Sequence, residues 1–410
     1  MTTLKEVFIS RYGNEPQRVT KNFVAKSLGT NYNVKDALVE FCDNALDAKS
    51  GKGPVVVEIN TDDVNNTLVI KDNGTGVSDP YKMFTIGGTD KETCSDKIGK
   101  YGIGVLGATS AIASKCRFNG DNTVEVCFES WCGGRYFKKM VCFMPDDEML
   151  IGETKVSEAP DTLHGLTITF NNVKISGPSS ICKYIVEVFE EPILKNRICI
   201  SFDGRELGCS TTRTFIGDEI PETIKVGDFT CEVKYRIIGG VDKRSPERNS
   251  PDSGLRVYDR NSGRMLYKST TLWDSYSGKK HQPNVCGLRA AVYIDSSLES
   301  YHYFGVSPAK NMITKDDYHK RPEFVNLRNR LREIYHQASK NVVEEEKNFT
   351  IGDYTFMTNE SKGKLNALYK VIPDTNMIVL KNKYSQKEVA CLIDEIEKLK
   401  KSIKYGKKCV

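Results

Sequence analysis

The 410-residue sequence has no uninterrupted apolar run near the roughly 20 residues that a membrane helix needs, so no helical span is expected. Its opening residues, Met1-Thr-Thr-Leu-Lys5, lack the apolar core of a secretory signal, and an intracellular protein, cytoplasmic or nuclear, is expected. There is no CxxC pair. The 13 cysteines are scattered singly from Cys42 to Cys409, which disfavours a zinc site and a disulfide framework alike and leaves free thiols in a reducing compartment. A dense basic stripe is also missing, and a net charge of +5 permits contact with nucleic acid without arguing for it. No internal repeat is present. What remains is an ordinary globular composition, 39% hydrophobic and 28% charged, in a chain long enough for two or three domains.

Hydrophobic period organises the first half. Val34, Ala37, Leu38, Phe41 and Ala45 recur at helical spacing and predict a helix over 34–48 with one apolar stripe. Val55-Val-Val-Glu-Ile-Asn60 and Thr67-Leu-Val-Ile-Lys71 read as strands, the second closed by the turn-forming Asp72-Asn-Gly-Thr-Gly76. Further strands are expected over 123–129, 135–143 and 166–170, and the order of elements suits an α+β sandwich with a largely antiparallel sheet. A helix over 180–191 and strands over 197–202 and 229–238 point to a second domain starting near residue 175. Residues 239–254 read as an exposed loop, strands resume over 255–258 and 287–294, and a helix is expected over 323–346. In the tail, Ser385-Gln-Lys-Glu388 has the form of a capping box. It opens a seam of Val389, Leu392, Ile396, Leu399 and Ile403 that suits either pairing with a second copy or docking on its own domain.

Three segments carry chemistry when taken together. In Glu40-Phe-Cys-Asp43-Asn44-Ala-Leu-Asp47-Ala48, the four residues Glu40, Asp43, Asn44 and Asp47 share one helix face. Such a face is costly beside an apolar stripe unless water or a cation meets it, and alone it reads equally as a solvated flank. Asp72-Asn-Gly74-Thr-Gly76 follows an apolar strand, where an aspartate can accept from an exocyclic amine and glycines let backbone pass close to a ring; alone it is a turn. The third runs from Ile86-Gly-Gly-Thr-Asp-Lys91 to Ile98-Gly99-Lys100-Tyr101-Gly102-Ile103-Gly104-Val105. Its glycines open a helix and present amides that can cradle polyphosphate, yet it matches neither a Walker A loop nor a GxGxxG fingerprint in its required context.

In this order and spacing the three segments resemble the GHKL superfamily of gyrase subunits, heat-shock chaperones, sensor histidine kinases and MutL proteins. Its N box looks like ExxDNxxDA and its two glycine boxes look like DxGxG and GxxGxG. The resemblance implies a GHKL α/β sandwich, with helices on one face of the sheet, that binds ATP and Mg²⁺. By position it makes Glu40 the general base, Asn44 the Mg²⁺ ligand and Asp72 the acceptor of the adenine amine. Gly74 and Gly76 would lie by the adenine; Asp47 and Lys91 join the nucleotide site, and the segment from Gly99 and Lys100 through Tyr101, Gly102, Ile103, Gly104 and Val105 would wrap the phosphates. One departure is that Gly165-Leu166 stands where the family often has Gly-Thr, with Thr167 next.

The wording of residues 84–104, and of Leu255-Arg-Val-Tyr-Asp-Arg260, is similar to MORC ATPases, while Val306-Ser-Pro-Ala-Lys310-Asn resembles the lysine loop of MutL. This branch implies an S5-like transducer domain that delivers Lys310 to the terminal phosphate, and an ATP-gated homodimer acting on DNA or chromatin. A heat-shock type chaperone and a non-hydrolysing nucleotide-binding scaffold remain the alternatives. The expected domains are 1–174 for the ATP-binding domain, 175–347 for the transducer and 348–410 for a C-terminal extension with a short helix.

Overall fold

Strict in–out alternation in β1 (Val55–Asp62) and β2 (Thr67–Asp72) buries Val55, Val57 and Ile59 on one side and Leu68 and Ile70 beside them. These strands sit inside the first sheet of the computed structural model. It describes residues 4–13, 32–49, 51, 53–84, 104–119, 122–145, 148–209, 215–238, 254–269 and 288–306, with isolated positions and short strands between 326 and 380. Their hairpin closes on an Asx turn, in which Asp62 Oδ1 accepts from the Val64 and Asn65 amides, and on Asn66 at φ 52°.

The first sheet has nine strands. The path runs β5 (Met149–Ile151), β4 (Arg135–Phe143), β3 (Val124–Cys132), β7 (Gly165–Asn171), β2, β1, β8 (Ile198–Phe202) and β9 (Arg205–Glu206), with β6 (Lys155–Glu158) beside β4. All pairs are antiparallel except β1 with β8. Helices α2 (Val34–Asp47), α3 (Gly104–Lys115), α4 (Pro178–Val188) and α5 (Glu190–Leu194) cover one face and enclose the main core. The expectation of helices on one face holds for these four. A helix that the sequence pattern did not reveal, α1 (Leu4–Tyr12), packs Phe8 on Cys127, Met140, Cys142 and Leu150, apolar residues of the opposite face. The domain boundary expected near residue 175 falls just before α4, whereas β8 pairs with β1 and so extends the first sheet.

A second sheet follows, ordered β10 (Phe215–Val226), β11 (Phe229–Ile238), β14 (Leu288–Ile294), β12 (Gly254–Asp259) and β13 (Met265–Ser269). One face packs on α6 (Leu298–Tyr303) through Val257, Leu266, Val292 and Tyr301. The other contributes Tyr258, Met265, Ala291 and Tyr293 to the first core. Charge holds this joint together: Arg289 pairs with Glu190, Lys268 with Glu187, and Tyr293 donates to Glu191. Of the helix expected over 323–346, Asn326, Asn329, Arg330 and Glu333 are described and helical, and Arg330 pairs with Glu222 of β10 at 2.7 Å. Hairpin β15 (Asn348–Ile351) and β16 (Tyr354–Met357) lies within the expected C-terminal extension, as does the short pair β17 (Leu368–Tyr369) and β18 (Val379–Leu380). The helix expected after Ser385 lies outside the described residues.

Candidate functional site

Helix α2 starts at a reciprocal cap. Asn33 Oδ1 accepts from the Asp36 amide at 2.9 Å, and the Asp36 side chain accepts from the Asn33 amide at 3.4 Å, an arrangement that stabilises a helix start by about 1 kcal/mol. Asp36 also accepts from Tyr184 Oη of α4 at 2.8 Å, so the helix is tied at its first turn to a neighbour. Fixed in this way, α2 turns Glu40 and Asp43 inward, and their side chains are among the buried charged groups. Glu40 lies directly over the first residue of α3: a Cβ added to Gly104 would stand 1.8 Å from its Oε1. Only glycine leaves room for a carboxylate there, beside the free amides of a helix N-terminus that favour negative charge. One turn further along, the half-buried Asn44 has its Nδ2 without a hydrogen-bond partner among the described residues. Tyr32, also buried, packs its ring on Gly107 of α3, and burial together with Glu40 and Asp43 holds its hydroxyl strongly protonated.

The cation that meets this acidic face is the protein's own. Arg264, at the tip between β12 and β13, places Nε 2.7 Å from Asp43 Oδ1, with 2% and 1% of the two side chains exposed. Burial works against its charge, and the carboxylates of Asp43 and Glu40 more than offset that, so its pKa stays above the ordinary value.

Asp72 is positioned by strand register. It continues the inward row Leu68, Ile70, which brings its carboxyl to the sheet–helix layer at the open end of β2. Its Oδ1 accepts from the Gly74 amide at 2.8 Å. Burial pushes the carboxyl up to about 6, against the opposing pull of the Gly74 and Leu166 amides and of His164. The turn that follows is pinned on both sides: the Thr75 amide donates to Ala48 O of α2 at 2.8 Å, and Asn73 Oδ1 accepts from the Val56 amide at 2.7 Å. Gly76, at φ 75°, passes so close to β3 that a Cβ would lie 2.1 Å from Trp131 O. Ser130 locks this crossing, accepting from the Val77 amide at 2.8 Å and donating to Gly165 O at 3.0 Å.

Leu166 pairs directly with Asp72 across β7 and β2 and thus shares its face. Thr167, one residue on, points to the other face and cannot stand in for a hydroxyl beside Asp72. On β3, Ser130 pairs with Leu166 and is already engaged in two bonds.

The structure therefore gathers Glu40, Asn44 and Gly104 at one end and Asp72, Gly74 and Gly76 at the other, with Asp47 in the last turn of α2 and Val105 in the first turn of α3 packed against the main core. Lys91, Gly99, Lys100, Tyr101, Gly102, Ile103 and Lys310 lie outside the described residues. Sequence reasoning missed Arg264, Ser130 and His164, and named Gly165 only as half of the Gly165-Leu166 pair. None belongs to the short motifs. At Gly165 φ is 123° and a Cβ would meet Asp72 O at 2.2 Å, so both call for glycine, and His164 Nδ1 lies 2.9 Å from Gly74 O. The one available signal was the Gly165-Leu166 pair at a strand start.

Residues 32–128 match the family model described as histidine kinase-, DNA gyrase B- and HSP90-like ATPase. The match spans α2, β1, β2, α3 and most of β3, supports the GHKL superfamily for this part of the chain, and implies ATP binding there. The mixed α+β architecture with its large sheets fits a GHKL-type fold. No curated protein matches the chain. Among the described residues no helix is long and apolar enough to cross a membrane.

Proposed function

We propose that this chain binds Mg²⁺-ATP between α2, α3 and the first sheet and hydrolyses it, and that the nucleotide gates the pairing of two copies in a DNA- or chromatin-associated clamp of MORC, MutL or topoisomerase type. The observation that carries the hydrolytic part is Glu40, 3% exposed and set against Gly104 at the start of α3, with the Asn44 amide one turn away lacking a partner at its Nδ2 among the described residues. A buried N–H donor left unpaired costs on the order of 1–3 kcal/mol, so Asn44 Nδ2 suits a hydrogen-bond acceptor such as a phosphate or water oxygen.

Asn44 is the residue to hold the metal through its amide oxygen, with the remaining positions filled by phosphate and water oxygens as Mg²⁺ prefers. An ion held there would supply charge neutralisation to the phosphates. Glu40 orients the attacking water and accepts its proton. Asp72, ionised, accepts the hydrogen bond of an exocyclic amine and fixes the nucleobase. The amides that open α3 meet phosphate, extended by the segment from Gly99 to Ile103 with Lys91, and Lys310 reaches the terminal phosphate.

Phosphate release by the full chain under saturating Mg²⁺-ATP tests the reading. Glu40→Ala is expected to lower turnover by about 10²–10⁴-fold while a fluorescent ATP analogue still binds. Equal turnover by the variant sinks the mechanism. Light scattering with a non-hydrolysable ATP analogue tests the clamp: an unchanged mass removes the dimerisation part alone.

A further inference from the structure

The Arg264–Asp43 pair joins the second sheet to the helix that carries Glu40, and the tip that presents Arg264 is built as a rigid piece. A bulge opposite the Val257–Tyr258 step bends the β12–β13 hairpin just before its end. Within the tip, Asp259 Oδ1 accepts from the Ser262 amide at 2.7 Å and from its hydroxyl at 2.6 Å, while the Asp259 amide donates to Arg264 O at 2.9 Å. The second oxygen of Asp259 accepts from Tyr301 Oη of α6 at 2.8 Å. From the first sheet's side, Arg197 at the entry to β8 donates to Ser262 O at 2.9 Å. Gly263, at φ 73°, brings the backbone against Glu191 and Pro192 of α5. Helices α5 and α6 and the entry to β8 thus converge on one loop; of its two arginines, Arg260 pairs with Asp295 and Arg264 enters the layer where Asp43 and Glu40 lie.

We propose that Arg264 is a positioning residue for the reaction assigned to Glu40: by pairing with Asp43 it sets the rotation of α2, and so makes turnover depend on how the second sheet is seated. The proposal rests on the ATP-hydrolysis reading above. Its physical basis is that a charge pair removed from water is costly to break from one side, while the close-packed layer around α2 transmits a displacement at Asp43 to Glu40 one turn away. Arg264 is placed to act on α2 and through it on Glu40, with Asp43 between, so its loss should be felt in the chemical step more than in nucleotide binding.

The test compares the full chain with Arg264→Met, Arg264→Lys and the double variant Asp43→Leu/Arg264→Met, following phosphate release, affinity for a fluorescent ATP analogue and thermal unfolding. The double variant replaces the ion pair with apolar groups of similar bulk, which restores packing without restoring direction. For both methionine-bearing variants the expected result is a kcat lower by about 10- to 100-fold with analogue affinity within about threefold of the wild type. Arg264→Lys, which keeps the charge and loses the planar fork, should fall between them and the wild type. Recovery of wild-type kcat in the double variant would mean that Arg264 only supports packing and overturns the proposal, as does an unchanged kcat in folded Arg264→Met. A wild type that turns over ATP while these variants do too leaves the ATPase reading standing without Arg264. A wild type that binds the analogue and never releases phosphate removes both.

Discussion

Asp72 and Asp43 are both acidic, both turned into the layer between the first sheet and its helices, yet they are held by different means. Asp72 is served by its own neighbourhood: the Gly74 amide two residues on, the Leu166 amide from the adjacent strand and His164 beside it. No cation pairs with it at contact distance among the described residues, and burial raises its pKa. Asp43 is met by Arg264, over 200 residues later in the chain, at 2.7 Å. One end of the site is therefore made by backbone amides of its own turn and of the neighbouring strand within one sheet. The other is made by a long-range ion pair, which ties it to a second sheet.

The largest effect should come from breaking the buried pair from one side. Arg264→Met removes the guanidinium 2.7 Å from Asp43 and is expected to cost about 3–5 kcal/mol in thermal or denaturant unfolding, with Asp43→Leu/Arg264→Met recovering most of it. Equal losses in the single and double variants would contradict the idea that the pair is what is broken. At the other end, Gly165→Ala forces a side chain into φ 123° and against Asp72 O, and should destabilise by about 2 kcal/mol and weaken nucleotide binding. A calorimetric stability unchanged by this variant would show that the crossing is looser than its geometry.

The pH dependence separates the ends further. Burial holds the Asp72 carboxyl at about 6, above the unfolded value, so analogue affinity should fall about tenfold per pH unit below that point as the acceptor is lost. The sign for stability follows from the same displacement. A carboxyl raised on folding opposes folding at pH above about 6, and that penalty fades as pH falls towards about 4, the reverse of an acid-labile salt bridge. An affinity flat down to pH 5 would place the ionised acceptor elsewhere. The smallest effect is expected from Leu166→Thr, which sets a hydroxyl beside Asp72 on the shared face and should tighten analogue binding by about 1 kcal/mol, read by titration. Weaker binding would mean that Leu166 packs against the base.

Much of the first region was legible because its signals are short-range. The 3.6-residue stripe from Val34 to Ala45 located α2 within a residue, and alternation located β1, β2 and β4. The turn after Asp72 was read as a ligand-side turn, while its attachments to Ala48, Val56 and Trp131 depend on strands and a helix that no local pattern brings together. Helix α1 escaped because its apolar face is narrow: among its described side chains Phe8 is the one buried hydrophobic residue. Strand β8 was expected in a later domain because its own alternation says nothing of which partner it takes, and it pairs in parallel with β1 after a helical crossover.

By itself the sequence determined that Glu40, Asp43, Asn44 and Asp47 share a helix face, that Asp72 ends a buried strand, and that glycines follow at 74, 76 and 104. Spacing along one element is enough to settle such relations. It left open whether water or a cation meets the acidic face, and could not show which of 59 lysines and arginines would do so. Only the tertiary structure decided that, by bending a distant hairpin so that Arg264 reaches Asp43, and by pairing Leu166 with Asp72. Both depend on how separate strands are ordered and registered, which loop closure and packing settle over the whole chain and no short stretch encodes.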